Sequence, residues 1–68
     1  MNNAQELAAR INAATIALFN PANQTRVAEL IGRAQGAFDE AREAGLTGID
    51  MERVQYAFDA FQVQAQGR

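Results

Sequence analysis

The chain has 68 residues, a formal net charge of −2 and a pI near 4.8, which bound it to one domain with a thin core and give it no general attraction for phosphate. It contains no Cys, His, Ser, Lys or Trp, so disulfides and thiolate metal sites are excluded, and catalysis would rest on carboxylates, Tyr56, Thr15, Thr25 and Thr47 with no imidazole or amine to activate them. That inventory points to a non-enzymatic protein without cofactor or metal. The amino-terminal MNNAQELAAR has no basic stretch followed by an apolar one, and the apolar runs are too short for a membrane span; a cytoplasmic location without a membrane partner is the expectation.

The first helix is expected over about residues 4–19. Asn3 can cap it, with Glu6 three residues on in a capping-box position. Ala4, Leu7, Ile11, Ala14 and Leu18 step by 3, 4, 3 and 4 residues, one seam of a core-facing helix, widened by Ala8, Thr15 and Phe19. At Asn20-Pro21 the chain turns: Asn20 can cap a second helix, Pro21 suits its first position, and the residue before a proline is driven out of the α region.

The second helix is expected over about 21–44, roughly 36 Å long at the standard rise. Val27, Ile31, Ala34, Phe38 and Ala41 form its apolar seam, with Leu30 beside it. Ala28, Gly32 and Gly36 are small residues four apart, each glycine costing about 1 kcal/mol against alanine in a helix interior. They are candidates for close helix packing, or are tolerated glycines at a bend. Asp39, Glu40 and Glu43 lie within the helix and have no histidine to complete a ligand set, which points to a solvated face and not a cation site.

Gly45 is placed as the left-handed residue that ends this helix, with Leu46 as its apolar contact. Thr47 and Asp50 then resemble a capping box, and Leu46 and Met51 have the spacing of a hydrophobic staple. The third helix is expected over about 48–64, with Met51, Val54, Phe58, Phe61 and Ala65 on its seam. The whole reads as an all-α single domain, 1–68, made of a helical hairpin plus a third helix and completed by dimerisation.

Ala41, Gly45, Leu46, Met51 and Val54 resemble the small-residue, turn-glycine and hydrophobic skeleton of the helix-turn-helix family over about twenty residues. The resemblance implies that helix three would be a recognition helix presenting its first turns to DNA. Those turns carry Asp50 and Glu52, with Arg53 the one base nearby, and Glu40 stands where the family has an apolar residue. Most arginines also have an acid one turn away: Glu6 with Arg10, Glu29 with Arg33, Asp39 with Arg42 and Asp50 with Arg53. Nucleic acid is therefore not the expected partner, and a transcriptional regulator is kept as the alternative.

Helix three has a second apolar stripe, Ile49, Tyr56, Ala60 and Val63, and helix one places Ile16 with Ala9 and Ala13 off its seam. Such stripes mark either an interface or a helix buried on two faces. The interface reading makes this a protein–protein interaction module, a homodimer that binds and inhibits another protein. Phe19, Tyr56, Phe61 and Val63 are its candidate contacts, with Arg26 and Arg33 at the rim. In size and all-helical style the chain resembles the small accessory proteins of phages and mobile elements that act on host regulators or enzymes; a structural subunit of a larger assembly is the third possibility.

Overall fold

A computed structural model describes residues 3–67. Three α-helices, α1 (Asn3–Leu18), α2 (Val27–Glu43) and α3 (Gly48–Gln66), are joined by a 3₁₀ segment, Pro21–Arg26, and by a four-residue corner between α2 and α3. The Cα extents are 34 × 17 × 16 Å. The 19 residues of α3 span roughly 28 Å, more than either short dimension, so all three helices run along the long axis as an up-down-up bundle.

Cross-helix contacts fix the register. Arg10 on α1 meets Glu40 on α2 at 3.0 Å, and Phe38 on α2 stacks on Phe58 of α3 with ring centroids 4.5 Å apart and planes at 12°, an offset-stacked aromatic pair. The two antiparallel steps make α1 and α3 parallel neighbours, and α1 packs along both other helices.

The α1 seam is buried as its spacing predicts: Ala4, Leu7, Ala8, Ile11, Ala14 and Leu18 all lie in the core, while Thr15 is half-buried and Phe19 is exposed. The Thr15 hydroxyl donates to the Ile11 carbonyl at 3.0 Å, which satisfies it inside its own helix. On α3, Val54, Ala57, Phe58 and Phe61 are buried, with Met51 and Ala65 packed against them. Half of the buried core is alanine, with Phe61, Ile11 and Val54 its largest fully enclosed side chains. Close helix approach replaces bulk, so every large core side chain carries an outsized share of the burial.

The second helix departs from expectation at both its start and its face. Asn20 is extended (φ −84°, ψ 119°), its side chain accepts from the Ala22 amide at 3.0 Å, and Pro21 follows in the first position. The next turns are 3₁₀ and not α, and the α-helix begins only at Val27, after Arg26 at φ −111°, ψ 13°. No residue of Pro21–Arg26 is buried, so packing does not enforce α geometry, and Asn23 spends its side chain on the Ala17 carbonyl at 3.1 Å, tying the corner to the end of α1. The 17 residues of α2 are therefore roughly 25 Å long.

Its buried face is Leu30, Ala34, Ala37 and Ala41, with Val27 and Phe38 half-buried and Ile31 44% exposed. Flanked by α1 on one side and α3 on the other, α2 turns its small residues inward, and Ile31 is left at the edge.

The corner after α2 closes as a Schellman motif: Gly45 has φ +75°, its amide donates to the Arg42 carbonyl at 3.1 Å, and the Leu46 amide donates to the Ala41 carbonyl at 3.3 Å. Leu46 and Met51 both pack against the core. The Thr47 half of the capping box does not form. Thr47 is extended at the N-cap position but makes no side-chain cap hydrogen bond, and Gly48, at φ +62°, makes a second left-handed step before α3 proceeds.

Candidate functional site

Parallel α1 and α3 present a common outer face. Its centre is Tyr56, 80% exposed, lying between two shallow hollows. One, of about 330 Å³, is lined on the α1 side by Gln5, Ala8, Ala9, Asn12, Arg53 and Ala57. The other, of about 360 Å³, is lined by Met51, Glu52, Gln55 and Asp59. Seven residues to either side, roughly two turns, stand Ile49 at 72% and Val63 at 66% exposure. With Tyr56 beside Ala9 and Asn12, the parallel register brings Val63 level with Ile16, which is 70% exposed. Phe19 lies one turn beyond, at the α1 end, 60% exposed.

The line Ile49, Tyr56, Ala60, Val63 carries no charge; Arg53 flanks it toward α1, and Glu52 and Asp59 flank it on the far side. Such a strip is apolar, aromatic at its centre and charged at its rim, which is the make-up of a protein-contact patch. The two-buried-faces alternative for α3 is excluded: its second stripe faces outward.

Between α1 and α2 runs a groove of about 550 Å³, floored by Ala13, Ala14, Ala17, Leu30, Gly36 and Ala37 and walled by Arg10, Arg33 and Glu40. Its arginines are engaged: Arg10 bridges Glu6 at 2.9 Å and Glu40 at 3.0 Å, and Arg33 meets Glu29 at 2.8 Å. Three carboxylates against two guanidiniums leave this wall without the positive excess an anion would need. Asp39 accepts from Gln35 at 3.0 Å on the outside of α2, and among the described residues no group of three or more His, Cys, Asp or Glu is gathered to hold a metal ion.

Of the candidate contacts, Phe19, Tyr56 and Val63 are exposed and belong to the α1–α3 side. Phe61 is corrected: at 2% exposure it sits on the Val54–Phe58 seam facing α1 and α2, and it serves the core. Arg26 is exposed at the end of the 3₁₀ segment. Arg33 is also exposed but belongs to the α1–α2 groove, paired with Glu29 and away from Tyr56. The close-packing role of Ala28, Gly32 and Gly36 is corrected as well: all three are exposed, and a Cβ placed on Gly32 or Gly36 meets nothing within 4 Å. The Arg10–Glu40 bridge and the exposure of Ile31 depend on which helices become neighbours, which spacing within one helix does not specify.

The corner from Ala41 to Val54 has the turn glycine of a helix-turn-helix, but α3 lies along α2 instead of crossing it at the 90–120° of that motif. The α2–α3 hollow lined by Ile31, Gln35, Phe58, Phe61, Gln62 and Ala65 follows the pair almost to the end of α3. Among the described residues no helix is long and apolar enough to cross a membrane.

Comparison with protein-family models, with curated proteins and with solved structures gives no match. What the fold and its surface define is a class: a small all-α three-helix bundle with an apolar outer strip.

Proposed function

We propose that the chain is a non-enzymatic protein–protein interaction module that binds another protein through its α1–α3 face and modulates it, inhibition being the simplest mode for so small a binder. The observation that carries this reading is the exposure of Ile16, Phe19, Ile49, Tyr56 and Val63, all between 60% and 80%, on one side of a bundle whose thin core would gain from burying them. Five large apolar side chains held in water on one face are more than scattered surface hydrophobes. A partner suited to this face is an apolar groove or helix with a polar rim, engaged through helix anchors.

The test is affinity capture from nuclease-treated lysate of the source or its host, with the wild-type chain, Phe19→Ala and Tyr56→Ala as baits and mass spectrometry as readout. The expected result is a stoichiometric protein retained by wild type and lost by both variants at unchanged helicity. A protein retained equally by all three, or no protein bound after nuclease while duplex DNA is recovered from a parallel lysate left untreated, would remove the reading.

A further inference from the structure

We propose that the first occupant of the Ile49–Tyr56–Val63 strip is a second copy of this chain, docked in parallel about a two-fold axis that runs along α3. This rests on the reading of the α1–α3 face as a contact surface and divides that face: the α3 strip takes the second copy and the modulated protein meets the α1 end at Phe19, so Tyr56→Ala acts on capture by dissolving the dimer that presents it. Ile49, Tyr56 and Val63 recur at seven-residue intervals with Ala60 between the last two, so the strip meets its own image in step wherever two α3 helices run together. An interface around a two-fold axis needs one self-complementary patch, which such a repeat supplies.

Area and charge agree with that occupant. At 66–80% exposure the three side chains offer roughly 450 Å², and the flanking Asn12, Ile16, Glu52, Arg53 and Asp59 bring each copy near the ~800 Å² per partner of a stable association. Arg53 stands on the α1 flank of Tyr56, whereas Glu52 and Asp59 stand on the opposite flank. A two-fold axis along the helices sets unlike flanks against each other, so Arg53 of each copy faces the partner's Glu52 and the partner's Asp59. An antiparallel pair would set acid on acid, and like charges in juxtaposition disfavour it. Phe19, at the end of α1, stays at the edge of such a dimer, open to the modulated protein.

The experiment is sedimentation equilibrium of the full chain across a concentration series, for wild type, Tyr56→Arg and Val63→Arg, with helicity followed in parallel. Wild type is expected at twice the 7.4 kDa chain mass, and Tyr56→Arg is expected to raise the dimer dissociation constant at least about 30-fold, as loss of a central interface anchor does. Direction is read by oxidation of single-cysteine variants, which is clean because the chain has no cysteine of its own. Ile49→Cys should cross-link to its own counterpart. A cross-link that forms only when Ile49→Cys and Val63→Cys are mixed would overturn the parallel arrangement. A wild-type monomer at millimolar concentration, or a dimer indifferent to arginine at both positions, would overturn the second copy. If the monomer still captured a protein through Phe19 and Tyr56, the interaction reading would survive that loss; if neither mass nor capture responded, both would fall.

Discussion

Truncating Phe61 to alanine separates what holds the bundle together from what it shows to a partner. The ring is 2% exposed and, with Ile11 and Val54, is among the largest side chains fully enclosed. Phe→Ala in a packed core removes about 3–5 kcal/mol through lost transfer energy and the cavity left behind. A chain of this length has roughly 3–10 kcal/mol of total stability, and the alanines around Phe61 have little side chain with which to refill the space. Phe61→Ala should therefore lose most of its cooperative transition at 25 °C. Tyr56→Ala, by contrast, should shift stability by no more than about 0.5 kcal/mol, the range for an open surface site. The assay is urea unfolding followed by far-ultraviolet circular dichroism, at a dilution where the chain is monomeric, because association adds apparent stability by mass action. A Phe61→Ala chain with the wild-type midpoint and slope would refute the placement of this ring in the core.

Gly32→Ala and Gly36→Ala should each stabilise α2 by about 0.5–1 kcal/mol, since a methyl group there meets open space and helix propensity alone decides the sign; in thermal melts this is a rise of about 4–8 °C per kcal/mol. No rise would mean that a helix does cross at these glycines. Gly45→Ala should destabilise by about 1–2 kcal/mol, because the residue sits at φ +75° where a side chain is strained, and an unchanged melting temperature would refute the left-handed corner.

The sequence was most legible where a local rule and the packing agreed. The α1 and α3 seams, Asn20 as a cap and Gly45 with Leu46 at the corner all followed from spacing and turn chemistry that tertiary contacts then reinforced. Legibility failed where neighbours decided the outcome. The inward face of α2 comprises Leu30, Ala34, Ala37 and Ala41 and not the bulkier Ile31, because two flanking helices approach most closely where side chains are smallest. Pro21–Arg26 followed the α rule in sequence and a 3₁₀ course in space, since the Asn23 side chain was drawn to Ala17 and nothing buried resisted the change. The expectation of Phe61 as a contact residue fails because the ring shares the buried seam of Val54 and Phe58. Tyr56 and Val63 lie off that seam by their period, which leaves open an interface or a second buried face; the packing of α3 turns them outward.

Tyr56 is the single tyrosine in a chain without tryptophan, so intrinsic fluorescence reports on the centre of the outer face and on nothing else. Acrylamide quenching across a dilution series tests that face directly. Near-complete quenching is predicted at high dilution, as 80% exposure requires, with protection growing as the chain associates or as a captured partner is added. Quenching that stays complete in the associated or partner-bound state would contradict the claim that this face makes the contact.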